Sequence, residues 1–225
     1  MLAAVMLLIS PARAQDNPVV VELYTSQGCS SCPPADAYLH KLVARGDVIA
    51  LALHVDYWDY IGWKDVFGNK AWSDRQRGYA KTGGRRMVYT PQMIINGRDH
   101  VVGNRPRDVE ELIDKHSRAT HPVAVSATRE GNRLTVTAQS AGGVNGAFEV
   151  VLVRFKPKEL VEIKRGENAG KTLSYANIVT RIDPLKSWTG RAPLTIEAKM
   201  TGDQAGVILI QESGHGAVVA AARVN

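Results

Sequence analysis

Two cysteines, Cys29 and Cys32, are the only thiols in a chain of 225 residues. Ser30 and Ser31 separate them. They follow an apolar run, Val19-Val20-Val21, and precede a helical pattern that opens on Pro33-Pro34. Two thiols at that spacing, at a strand-to-helix junction, can close a small reversible disulfide and so form a redox site. The thiolate is the attacking species in disulfide exchange, and a free thiol is mostly protonated at neutral pH. The first turn of a helix offers unpaired N–H groups and a partial positive charge. Cys29 is therefore the expected attacking thiol. Cys32, further into the helix, is the expected resolving thiol. Pro33 and Pro34 fit a first turn, where a missing N–H costs little.

Two blander readings compete. A structural staple is one, but closing a four-residue loop contributes about 2 kcal/mol against roughly 4.7 for a hundred-residue loop. A metal site is the other. Zinc needs four ligands, and His116 and His121 follow Cys32 by more than eighty residues, where a finger allows about 12–15. A copper(I) or zinc module would need His54, or His116 with His121, to supplement the two thiolates.

The elements that must hold this pair can be read around it. Val19 to Tyr24 predicts a short buried strand. Glu22 within it either faces solvent or is a partly buried acid behind the cysteines that exchanges a proton with Cys32. Residues 33–45 predict a helix with Tyr38, Leu39, Leu42 and Val43 on its apolar face, stopped by Gly46. Val48 to Val55 predicts a second strand, giving a βαβ unit with a right-handed crossover. The carboxyl ends of both strands then lie together, so His54, Asp56, Tyr57 and Trp58 should emerge near Cys29.

Half of the chain's aromatics fall between residues 57 and 80. They form either a satellite core or a substrate-facing wall, and Tyr57, Trp58 and Trp63 are the candidate substrate contacts. Trp72, Gln76 and Tyr79 have helical spacing. Gly83-Gly84 breaks the segment, and Arg85-Arg86 adds positive charge that could favour a thiolate or an acidic partner. Thr90-Pro91 stands directly ahead of an apolar strand. A cis Pro91 would leave the Thr90 backbone free to pair with a substrate strand, whereas a trans proline would simply start the strand. Asn96-Gly97 predicts a hairpin between Met93–Ile95 and His100–Val102, and residues 106–116 predict a closing helix.

The order is β-α-β, an inserted helical segment, then β-β-α, and it resembles the thioredoxin fold. The runs Val20–Glu22 with Cys29-Ser30-Ser31-Cys32-Pro33, His54-Val55-Asp56-Tyr57-Trp58, and Tyr89-Thr90-Pro91-Gln92 resemble a secreted, thioredoxin-like bacterial family known as a domain of unknown function. The resemblance implies an exported protein and, from the wider superfamily, Cys29 as nucleophile, Cys32 as resolving thiol and Pro91 as the cis-proline. Two departures stand out: no Trp precedes Cys29, and the intervening pair is Ser-Ser, not Gly-Pro. Oxidant and reductant therefore both stay open.

His121-Pro122 reads as a boundary. Beyond it come short alternating strands starting near residues 123, 134, 148, 178, 194, 207 and 218, which suggest a β-sandwich. The fold class expected is thus an α/β thioredoxin-like domain with an inserted helical segment over residues 15–120, followed by an all-β sandwich-like domain over 121–225. The second domain would bind a partner protein or cover the first. Arg165-Gly166-Glu167-Asn168-Ala169-Gly170-Lys171-Thr172 has one residue too few between its glycines for a phosphate-binding loop, and reads as a polar interdomain loop.

Composition bounds the rest. The net charge of +6 is mild and interspersed, without the basic block of a nucleic-acid arm. Residues 1–14 resemble a secretory signal, with an apolar run over Leu2 to Ile9 and Ala12-Arg13-Ala14 before Gln15. No Lys or Arg precedes that run. No later stretch is long and apolar enough for a membrane span. The expectation is an exported thiol–disulfide oxidoreductase, periplasmic or secreted, without a cofactor, acting on protein or small-molecule thiols and disulfides. Glu22, Cys29, Cys32, Thr90 and Pro91 are its candidate catalytic residues. The rivals are a metal-binding module and a noncatalytic adaptor on the same scaffold.

Overall fold

A computed structural model of the chain describes residues 17–142 and 144–224. The leader expected over residues 1–14 lies outside the described residues. The first strand, β1 (Val19–Thr25), the first helix, α1 (Pro33–Val43), and β2 (Val48–His54) form the βαβ unit. The two strands run parallel in the register Val19↔Val48 through Thr25↔His54. Both are buried along their whole length, as strands covered on both faces are. Cys32 is the residue at the helix cap, with the two prolines at its first positions.

A single 3-10 turn (Asp59–Ile61) leads to α2 (Lys70–Thr82), whose first turn is capped by Asn69 accepting from Ala71 N. The Thr90–Pro91 bond is cis. It precedes β3 (Gln92–Ile95) and β4 (Asp99–Val102), an antiparallel hairpin beside β1. Asn96 and Gly97 take φ of 45° and 67°, the paired positive values a two-residue hairpin turn requires. Helix α3 (Pro106–Ser117) follows, with Val109 and Ile113 buried.

The remaining strands are β5 (Val123–Glu130), β6 (Arg133–Ser140), β7 (Phe148–Glu162), β8 (Thr172–Trp188), β9 (Leu194–Lys199), β10 (Ala205–Glu212) and β11 (Val218–Arg223). Four of them, β7, β8, β10 and β11, share a sheet with the strands of the first half. One sheet of eight strands runs β11-β10-β7-β8-β2-β1-β3-β4, and only β5, β6 and β9 make a second sheet. The large sheet therefore runs across the boundary expected at residues 120 and 121. The link is β8, which joins β2 in parallel at Ile178↔Ala52. The alternating pattern predicts a strand from Phe148 that ends at Phe155, before Lys156-Pro157-Lys158, and one limited to Ile178–Ile182. The ladder in fact continues to Glu162↔Thr172. Asn177, which lies between the residues paired with Lys156 and Lys158, takes φ 45° and sends its side-chain amide to Ala50 O at 2.8 Å.

Alternation along the strands sorts the core into three patches. Val19, Val21 and Leu23 pack with Ala35, Leu39 and Leu42 of α1 and Val109 and Ile113 of α3. Val150, Leu152, Ile208 and Ile210 pack against Val125, Leu134, Val136 and Ile196 of the small sheet. The other face carries Val20, Tyr24, Leu51, Leu53, Val153 and Leu209 against Trp72 and Tyr79 of α2. The large sheet curls around this last patch. Val218 N donates to Asn96 O at 2.9 Å, and the Asn17 side chain meets Val219 O and Ala221 N at 3.1 and 2.9 Å.

Inside the curl lies a charged pair. Glu22 and Arg75 meet at 2.8 Å with side chains only 1% and 10% exposed. Tyr79 donates to Glu22, and Arg75 also donates to Tyr79 and to Gln211 of β10. Buried charges need such partners. Breaking this pair from one side should therefore be expensive. Arg75→Met should lower the unfolding free energy in urea by about 3–5 kcal/mol, because it leaves a buried carboxylate unpaired. Adding Glu22→Gln should recover much of that loss; a double variant as unstable as the single one would contradict this account.

Candidate functional site

The cysteine loop is built from the end of β1. Cys29 N donates to Ser26 O at 3.1 Å, and Cys32 N to Cys29 O at 3.2 Å. Cys32 O then accepts from Ala35 N and Asp36 N, which starts α1. The two cysteines form a disulfide with their Cα atoms 5.4 Å apart. Both are buried, while Ser30 and Ser31 between them are exposed. Cys29 Sγ lies 3.4 Å from Ser31 Oγ.

The segment after β2 braces this loop. Trp63 donates its indole N–H to Gln27 Oε1 at 2.8 Å. Trp58 donates to Thr90 Oγ1, also at 2.8 Å. A Cβ placed on Gly28 would fall 3.2 Å from Trp58 Cβ, so the bare glycine permits that approach. Trp58 thus ties the loop before Pro91 to the loop before Cys29. Tyr57 turns instead to α2, where its hydroxyl donates to Gln76, and burial pushes its hydroxyl up to about 12. Of the expected substrate contacts, Trp58 joins the cysteine and proline loops, Trp63 braces the cysteine loop through Gln27, and Tyr57 bonds α2 beside Thr90.

Glu22 is not beside Cys32. Its neighbours Val21 and Leu23 face α1, so by alternation Glu22 points to the other side of the sheet, where Arg75 and Tyr79 bind it. This corrects the proton-exchange role expected for it. An all-apolar strand buried on both faces has no alternation to fix which side an odd residue takes.

The acid on the cysteine side is Asp36. It follows Cys32 by one helical turn and therefore shares its face. It is buried, and neither carboxylate oxygen has a hydrogen-bond partner among the described residues. Burial pushes the Asp36 carboxyl from an ordinary 3.8 up to about 7, against a downward pull from His54 and the Thr25 hydroxyl. His54 Nδ1 lies 2.7 Å from Asp65 Oδ2, with both side chains fully buried. The same Asp65 oxygen accepts from Gln27 N at 2.8 Å. His54 stacks edge-on against Phe67 and Tyr175, with ring centroids 5.2 and 4.8 Å away. Burial, with the negative field of Asp36 and Asp65, raises the Tyr175 hydroxyl. Residues from α1, β2, the loop after it and β8 thus form a buried polar cluster reached from the Cys32 face of α1. Asp36 could have been suspected: it is the one carboxylate on a helical stripe with Ala35, Leu39 and Leu42.

The last contribution comes from the far end of the sequence. The tip between β7 and β8, residues 163–171, lies on the cysteine loop. Asn168 is fully buried and donates its amide to Gln27 O and Cys29 O, both at 3.0 Å. Lys171 donates to Asn168 Oδ1. Glu167 accepts from Ser30 N at 3.3 Å. Gly166, with φ 77°, lets the tip approach Trp63. The stretch with a near-match to a phosphate loop is therefore a clamp on the cysteines. Nothing local in its sequence marks that contact.

The imidazoles weighed as metal ligands go elsewhere. His54 is engaged by Asp65, and His116 lies against Asp99 and Asn96. His116 and His121 line a separate cavity of about 450 Å³ with Asn96 and Arg98. Among the described residues, no group of three His, Cys, Asp or Glu side chains could hold a metal ion. No helix among them is long and apolar enough to cross a membrane.

Fold and site together define a mixed α/β protein with a CxxC disulfide at a helix start. Residues 20–211 match a family described as a protein of unknown function (DUF1223), and the chain belongs to that family. A crystal structure of a protein from Agrobacterium tumefaciens is similar, with 36% identity, a TM-score of 0.79, and 91% of this chain and 92% of that one covered. HBP35 of Porphyromonas gingivalis shares the fold at 15% identity and a TM-score of 0.64, over 92% of this chain and 74% of that one. No curated protein matches the chain.

Asp36 makes stability depend on pH. Its folded carboxyl keeps a proton up to about pH 7, whereas the unfolded one loses it near 3.8. Between those values the folded state binds more protons, so stability falls as pH rises. Asp36→Asn should remove that fall. Its gain in urea midpoint over the wild type should be smallest near pH 4 and largest above pH 7; a pH-independent difference would contradict the burial of this acid.

Proposed function

We propose that the chain is an exported thiol–disulfide oxidoreductase with a thioredoxin-like redox half. The observation that carries this reading is the Cys29–Cys32 disulfide at the start of α1, backed by Asp36 and braced through Trp58 to the cis Thr90–Pro91 loop. The β-α-β, β-β-α order around it supports the same reading, and an oxidising compartment after export suits a disulfide.

In the reducing direction the Cys29 thiolate attacks one sulfur of a substrate disulfide. A mixed disulfide forms, and the other substrate sulfur leaves as a thiolate. Cys32 then gives its proton to the nearby carboxylate of Asp36 and attacks Cys29 Sγ. The substrate's second thiolate leaves, and the Cys29–Cys32 disulfide closes with two electrons passed to the substrate. The oxidising direction is the same path reversed. The helix start stabilises the Cys29 thiolate, and a carboxyl poised near neutral pH is suited to taking and returning a proton.

Cys29→Ser should reduce insulin disulfides no faster than dithiothreitol alone. Cys32→Ser should accumulate a mixed disulfide with the substrate, visible as a mass adduct on Cys29. Full activity in Cys29→Ser would overturn the role of Cys29 and with it this reading.

A further inference from the structure

No Asp or Glu occurs between Asp74 and Asp99. Over that stretch the chain carries Arg75, Arg77, Lys81, Arg85, Arg86 and Arg98. Arg75 turns inward to Glu22, and Arg98 lies beside Glu212. The other four line one groove of about 350 Å³ with Ala80, Met87 and Val88. Asp74 answers Arg77 together with Lys70. Lys81, Arg85 and Arg86 have no carboxylate partner within ion-pair distance among the described residues. Met87 is 73% exposed, a large apolar side chain left in water within a cationic rim.

The segment lining this groove continues into the loop that Trp58 ties to the cysteine loop. Val88 lines it, and Thr90, two residues on, takes the Trp58 indole N–H. Trp58 in turn packs on Gly28, next to Cys29. Residues 83–91 belong to no helix or strand, and Arg86, Met87 and Val88 have no backbone hydrogen bond among the described residues, so that stretch is open to pairing with an added extended peptide. A bare cationic surface would attract any polyanion. The exposed Met87 and the open backbone of Arg86 to Val88 favour a polypeptide.

We propose that this groove docks an acidic, extended segment of the protein substrate and presents its disulfide to Cys29. The inference rests on the thiol–disulfide reading above and names the substrate class for the same site.

The test uses two peptides with one disulfide each, identical except for Glu-rich or Lys-rich flanks, and the uncharged hydroxyethyl disulfide as a small probe. Each is reduced by the dithiol form of the full chain in a single turnover. At low salt the acidic peptide should react about tenfold faster than the basic one at subsaturating concentration, as complementary charge speeds encounter. The preference should fade as salt screens it. Arg85→Glu with Arg86→Glu should abolish the preference and leave hydroxyethyl disulfide unaffected. Equal rates for the two peptides, with hydroxyethyl disulfide still reduced, would overturn the docking site alone. Failure of the dithiol form to reduce hydroxyethyl disulfide together with failure of the disulfide form to oxidise mercaptoethanol would overturn the redox reading and the docking site with it. Equal inhibition by a single-stranded oligonucleotide and by the acidic peptide without cysteines would overturn the peptide assignment in favour of a general polyanion surface.

Discussion

The outer edge of β2 has to be paired, and β8 pairs it. That one junction, at Ile178↔Ala52 with the Asn177 side chain on Ala50 O, makes the two halves of the chain one sheet. An unpaired edge of a buried strand would leave backbone N–H and C=O groups without partners. The solution has two consequences, one at each end of the β7–β8 ribbon. At one end β10 and β11 extend the sheet and the small sheet covers it. At the other the ribbon runs on past β2, and its tip reaches the cysteine loop. Asn168 then satisfies two buried carbonyls there. The β7–β8 tip is therefore part of the cysteine site, and its ribbon shares the large sheet with the first half.

Two buried acids divide the work between the faces of the sheet. Glu22 is answered in full by Arg75 and Tyr79, so it fixes α2 inside the curl and has no spare chemistry. Asp36 is answered by no hydrogen bond among the described residues and sits on the face of α1 that carries Cys32. A satisfied charge is a brace. An unsatisfied one whose carboxyl rests near neutral pH is a group that can change protonation state at little cost. The same chemical type thus has opposite uses on opposite faces. Burial first, then His54 and Asp65, set the field in which the second one titrates.

Much of this was legible in the sequence, and the exceptions share a cause. The βαβ unit, the prolines in the first turn of α1 and the Asn96-Gly97 turn all rest on contacts within a few residues, where periodicity and turn chemistry speak directly. The Cys29–Cys32 pair and Thr90-Pro91 were legible as well. The side taken by Glu22 was not, because Val19–Thr25 is buried on both faces. The reach of β7 and β8 was hidden by Pro157 and its lysines, which mimic a strand end. The clamp by Asn168 was hidden because it joins residues 139 and 141 positions apart, a distance at which a single sequence carries no signal. What the sequence missed was the tertiary half of the site.

The central claim is that Cys29 and Cys32 exchange electrons with other thiols, and the reduction potential of the pair tests it most directly. Equilibration of the full chain with glutathione buffers, read by mass after alkylation, gives that value. The account predicts ready equilibration and a potential between about −270 and −120 mV, the span of exchanging dithiols from reductase to oxidant. A pair that fails to exchange, or one below about −300 mV as structural disulfides are, would contradict it.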